Sequence, residues 1–135
     1  MMSDEKPNSK IRSYRDLKVW EKGMQLVKDT YQLTASFPDS EKFGLVSQMR
    51  RCSVSIPSNI AEGWGRGKNK YFSNHLRIAR GSLYELETQI LIAQKMGFTN
   101  TNDSELFTLV DDLSKMLNSQ LVPHDTCLYI PNRKN

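Results

Sequence analysis

Long apolar runs are missing from this sequence. The longest, Ile90-Leu91-Ile92-Ala93, holds four residues, where a membrane-spanning helix takes about 20. No secretory signal is expected, because Met1-Met2-Ser3-Asp4-Glu5-Lys6-Pro7 is polar and has no apolar stretch. Cysteine is scarce: Cys52 and Cys127 make neither a disulfide framework nor a metal-binding spacing. Cys52 falls on an apolar stripe and reads as a small core residue. These absences together predict a reducing, cytoplasmic setting with no membrane partner. Histidine is limited to His75 and His124, too few for the Glu-x-x-His pairs of di-iron bundles. No metal or cofactor is expected, and His75, beside Leu76, reads as a surface or interfacial imidazole. Five prolines and seven glycines cluster at the ends of periodic segments, which favours long regular elements. No segment carries the period-2 pattern of a strand.

What is present is helical periodicity. The 135 residues suit one domain with one core, and apolar residues recur at spacings of three and four. The first stripe is Leu17, Trp20, Met24, Val27 and Tyr31, widened by Val19, Leu26 and Leu33, in a helix from Asp16 to Ser36. The second is Leu45, Met49, Cys52, Ile56 and Ile60, from Gly44 to Trp64. Pro57 lies inside it and predicts a kink, or else two short helices broken at Ile56, with Ser53, Ser55 and Ser58 placed to take up freed backbone groups. The third stripe, Phe72, Leu76, Ala79, Leu83, Leu86, Ile90 and Ala93, ends at Met96-Gly97. The fourth starts from an N-cap at Asn102 or Asp103, carries Leu106, Val110, Leu113, Leu117 and Leu121, and closes at Pro123. The expected fold is all-α: an antiparallel up-down-up-down four-helix bundle, second helix kinked at Pro57, over residues 14–121. A disordered arm (1–13) would precede it and an irregular tail (122–135) follow it, whose Leu128-Tyr129-Ile130 cluster could pack on the bundle or on a neighbouring subunit.

Charge is uneven along the chain. Residues 10–80 hold 14 Lys and Arg against 6 Asp and Glu, and residues 81–132 hold 2 against 7. Either an anionic partner or attraction between the two halves accounts for this. Gly63-Trp64-Gly65-Arg66-Gly67-Lys68-Asn69 invites comparison with a phosphate-binding loop. It is one residue short, has Asn69 where Ser or Thr would hold magnesium, and follows a helix instead of a strand. It reads as a helix terminus and turn, one that can still hold an anion. Arg50, Arg51, Arg77 and Arg80 have no acid three or four positions away, and Glu85 and Glu87 have no local base. Such groups pair between helices or subunits, or else Arg66, Lys68, Lys70, Arg77 and Arg80 form a patch for phosphate backbones, helped by Lys10, Arg12, Arg15 and Lys18. Glu62 can pair with Arg66, and Asn59 can bond across the core or fix an interface.

The run Phe43-Gly44-Leu45-Val46-Ser47-Gln48-Met49-Arg50-Arg51-Cys52-Ser53-Val54-Ser55-Ile56-Pro57-Ser58-Asn59-Ile60-Ala61-Glu62-Gly63 resembles the core motif of a four-helix-bundle family. That family is named after proteins encoded in intervening sequences of bacterial 23S ribosomal RNA genes. Asp16-Leu17-Lys18-Val19-Trp20, Gly65-Arg66-Gly67, Phe72 and Gly81-Ser82-Leu83-Tyr84-Glu85-Leu86-Glu87-Thr88-Gln89 extend the likeness over about Tyr14 to Leu121. Cys52 stands where alanine is more usual, and Asn118 where glycine is common. The resemblance implies a left-turning antiparallel bundle assembling as a homopentamer. It also implies kinship in fold with the accessory proteins of diversity-generating retroelements, basic pentamers that bind nucleic acid and a reverse transcriptase.

The expected function is therefore a non-enzymatic, oligomeric protein binding nucleic acid, RNA ahead of DNA. Arg66, Lys68, Lys70, Arg77, Arg80, Lys18 and Arg15 are its candidate contacts. Arg50, Arg51, Asn59, Glu62 and Glu85 are candidates for subunit contacts or structural polar roles. The alternative is a protein-interaction scaffold or accessory subunit without direct nucleic-acid contact, with a reverse transcriptase or another protein as its partner. No acid–base pair, metal set or nucleophile marks an enzyme.

Overall fold

The computed structural model describes residues 11–99 and 104–129, with side chains as far as Leu121. It contains helices α1 (Lys18–Thr34), α2 (Leu45–Gly65), α3 (Asn69–Lys95) and α4 (Ser104–Tyr129), short 3-10 turns at Tyr14–Asp16 and Asp39–Glu41, and no strand among the described residues. α2 packs on α1 and α3, α3 packs on α4, and α4 closes back on α1. The result is a four-helix bundle around one apolar core.

Two stripes are buried as their spacing requires. On α3 these are Leu76, Ala79, Leu83, Leu86, Ile90 and Ala93, with Phe72 half-buried; on α4 they are Leu106, Val110, Leu113, Leu117 and Leu121. Gly97 ends α3 with φ +76, the left-handed geometry that leaves glycine unstrained. The expected N-cap of α4 at Asn102 or Asp103 lies outside the described residues.

The other two stripes are corrected. α1 buries Val19, Gly23, Leu26, Thr30 and Thr34, while Met24 and Tyr31 are exposed. Glycine and threonine do not register as apolar, so the strongest sequence stripe falls to one side of the true face. Gly23 faces α2 there: a Cβ on it would stand 3.4 Å from the Cβ of Pro57, an ordinary contact distance. α2 runs unbroken through Pro57, which excludes two helices broken at Ile56. Its buried face includes Val46 and Ser53 beside Met49, Ile56 and Ile60, so Leu45 and Cys52 lie at the margin, partly buried. Ser53 donates to the Arg50 carbonyl (2.8 Å), and Ser55 crosses to Ser82 (2.9 Å).

The ends also differ. Helix α4 continues past Pro123 to Tyr129, because an internal proline forfeits one backbone bond and strains a turn without having to end the helix. The irregular tail therefore does not begin at residue 122, and the side chains of the Leu128-Tyr129-Ile130 cluster lie outside the described residues. Ile11 packs against the core. Ser13 accepts from the Arg15 amide (3.2 Å) and Asp16 accepts from the amides of Arg12 (2.8 Å) and Ser13 (3.3 Å). That capping box gives structure to residues the sequence assigns to the arm. Residues 1–10 lie outside the described residues.

Candidate nucleic-acid interface

Cross-helix contacts fix which residues share an end of the bundle. Thr34 of α1 meets Arg50 of α2, and Gly23 meets Pro57, so the start of α1 lies beside the end of α2, where the chain turns into α3. The Tyr14–Asp16 turn packs on α2 and α1, with Tyr14 edge-on to Trp20 at 5.3 Å. Arg12, Arg15, Lys18, Arg66, Lys68 and Lys70 are all exposed at this end. Three acids accompany them: Glu21 stands exposed in the first turn of α1, three residues after Lys18, and the other two are engaged locally. Asp16 is held in the capping box. Glu62 pairs with Arg66 at 2.8 Å and stands 3.9 Å from His75 Nε2; the hydrogen bond from Arg66 holds its carboxyl below the usual range. Arg66 also lies over the Tyr71 ring at 5.9 Å. Lys10 lies outside the described residues.

The patch continues only partly along α3. Arg77 is seven residues from Lys70, so it shares that face about 10 Å away, and donates to Asn74 at 3.0 Å. Arg80 turns toward α4 and donates to Asn118 at 2.8 Å. There it joins a polar network in which Tyr84 bonds Ser114 (2.9 Å) and accepts from Asn118 (3.3 Å). Those two partners, Ser114 first, draw the Tyr84 phenol below its ordinary range. No local pattern marks this network, since its cross-helix bonds join residues 30–38 positions apart.

Arg50 has an intramolecular task. It donates to Thr34 Oγ1 (2.9 Å) and the Tyr31 carbonyl (3.3 Å), and its guanidinium lies 4.5 Å from the Tyr31 ring centroid. It thus caps the C-terminus of α1 from the side, where the helix dipole favours a cation. Asn59 donates to the Ser55 carbonyl (2.8 Å) and faces His75 Nδ1 at 3.0 Å, so it ties α2 to α3. His75 is nearly buried by that contact, with 14% of its side chain exposed. Arg51 donates to Ser47 (3.0 Å) and, with Glu85, lines a shallow groove along the α2–α3 seam. Burial pushes the Cys52 thiol beside it up to about 11, and the charge and hydrogen bond of Glu85 add to the effect. At neutral pH the thiol is protonated and a poor nucleophile.

Aromatic residues complete the basic end, and here the sequence reading falls short. A cleft of about 350 Å³ opens at the α2–α3 turn, lined by Gly63, Trp64, Gly67, Lys68, Asn69 and Phe72. Trp64 and Phe72 meet edge to face at 6.0 Å and 83°. A tryptophan between two glycines in a basic turn was the available signal. Among the described residues no three of His, Cys, Asp and Glu come together as a metal ligand set, and no helix is long and apolar enough to cross a membrane.

Comparison with known proteins returns one family. The model described as 23S rRNA-intervening sequence protein matches residues 15–119, the stretch whose motifs resemble it. No curated protein matches the chain.

Proposed function

The chain belongs to the 23S rRNA-intervening sequence protein family, and from that premise we propose that it is a non-enzymatic protein binding nucleic acid, RNA ahead of DNA, through the basic end of its bundle. One observation carries the reading. Arg12, Arg15, Lys18, Lys68 and Lys70 stand exposed at a single end; of the acids there, Asp16 is committed to a capping box and Glu62 to Arg66, and Glu21 of the first turn of α1 does not offset the five cations. A surface of this kind concentrates positive potential where a phosphate backbone can approach. Arg77 lies on the same face but is half-buried, with its Nη2 buried. Arg80 supports it from the α3–α4 seam. The preference for RNA rests on the resemblance, and the cytoplasmic setting on the scarcity of cysteine.

The test is binding of the purified protein to structured RNA and to duplex DNA across a salt series. Log affinity should fall linearly with log salt, by about 0.9 per phosphate contact on B-DNA and about 0.7 on single strands. A steep slope with RNA preferred supports the reading; no binding at low salt sinks it.

A second reading has its own support. Tyr71, Ile78, Glu85 and Ile92 are seven residues apart and form one row along α3, and the three apolar members are 40%, 51% and 44% exposed. A heptad row of this kind suits packing against another helix. It favours assembly of the chain with copies of itself, the homopentamer that the resemblance implies, with Glu85 inside the contact and Arg51 at its margin. An accessory role toward a reverse transcriptase or another protein would use the same assembly.

A further inference from the structure

We propose that the cleft lined by Trp64 and Phe72 takes one unpaired nucleobase of an RNA strand, with the adjoining phosphate on Lys68. This rests on the nucleic-acid reading and narrows it to a strand with at least one base free of pairing.

The walls of the cleft make the argument. Its volume of about 350 Å³ lies near the lower end of small-molecule sites, roughly 300–1,000 Å³, which suits a single flat ring and its sugar. Trp64 and Phe72 are each half-buried. Their bodies pack against the core, their edge-to-face contact steadies both rings, and the remaining ring surface lines the opening. Two more of its walls are glycines. Gly67 takes φ +78, a conformation that disfavours any side chain, and Gly63 has no room for one because His75 stands against it. The ring surface therefore stays uncovered from that side. Asn69, at the start of α3, offers both a donor and an acceptor to a base edge, and Lys68 is exposed at the rim.

These components match a nucleotide better than simpler ligands. A free phosphate would use the lysine and leave two aromatic rings idle. An apolar chain would meet Lys68 and Asn69 at the mouth. A base in a duplex is already stacked on its neighbours and cannot enter, whereas RNA-binding surfaces commonly stack unpaired bases on aromatic rings. Such stacking tolerates any base identity and changes affinity by roughly 5- to 150-fold per base.

The experiment compares a short RNA single strand with an abasic strand of the same length and charge. Both are titrated into the Trp20→Phe protein, so that Trp64 is its one tryptophan. The expected result is tighter binding of the base-bearing strand, by roughly 5- to 150-fold, with Trp64 fluorescence quenched by that strand only. Trp64→Leu and Phe72→Leu should each erase the difference while duplex binding and helicity persist. Equal affinity for the two strands, with a normal salt slope, would overturn the base-binding cleft and leave the nucleic-acid reading intact. Failure of both strands and of duplex to bind at low salt would remove both.

Discussion

The three glycines of Gly63-Trp64-Gly65-Arg66-Gly67 look alike in the sequence, and the structure gives each a different standing. A Cβ at Gly63 would lie 2.7 Å from the Cβ of His75 and 3.2 Å from the Cα of Phe72. Neither neighbour is the end of a flexible side chain, so the backbones of α2 and α3 would have to separate. Gly63→Ala should therefore destabilise the fold by about 1–3 kcal/mol, and loosen the Asn59–His75 contact that joins the same helices. Gly67 is held by its positive φ. Gly65 is held by nothing: it is helical, without positive φ, and a Cβ there meets no atom within 4 Å. Gly65→Ala should stabilise by about 0.4–1 kcal/mol, through the unfolded chain's lost freedom. Urea denaturation of the two variants should show midpoints moving in opposite directions. Equal losses would mean that the close approach of α3 to α2 is not what selects glycine at position 63.

At the scale of elements, legibility followed how much of a face is apolar. The described face of α4 is lined by Leu and Val, and that of α3 by Leu, Ile and Ala with Ser73 and Gln89 among them, and the spacing of the apolar members identified both. On α1 the face includes Gly23, Thr30 and Thr34, whose place depends on Pro57 and Arg50 of another helix, and no local pattern reports that. The same limit applied to the candidate interface. The cations of the α2–α3 turn were legible as a cluster, but the Trp64–Phe72 cleft and the Arg80–Asn118 bond arise only when helices pack. The exposed row on α3 is where an element-level prediction belongs. Ile78 and Ile92 are about half exposed and stand outside the buried core, so replacing both with glutamate should leave helicity and melting nearly unchanged. Where that row is the subunit contact, two buried like charges per copy should reduce the assembly to smaller species in light scattering. An assembly of unchanged mass would place the contact on another face.

On the whole molecule, a charge asymmetry along the chain becomes an asymmetry between ends. Phe37 and Phe98 meet at 5.8 Å, so the α1–α2 and α3–α4 connections lie together, away from the basic end. That far end carries Lys42 and Lys95 among the acids Asp39, Glu41 and Glu105, and its field largely cancels. Position should therefore matter more than net charge. Lys68→Glu with Lys70→Glu, and Lys42→Glu with Lys95→Glu, lower the net charge equally. Only the first pair should weaken RNA binding, and it should flatten the dependence of log affinity on log salt by about 1.4 if each lysine makes one contact to a single strand. The second pair should leave the slope unchanged and affect only long-range attraction, which fades beyond a Debye length of about 8 Å at physiological salt. Equal losses from the two pairs would mean that RNA responds to overall charge, and that the basic end is not a docking surface. A loss confined to the first pair would orient the strand across the α2–α3 turn, directly over the Trp64–Phe72 cleft.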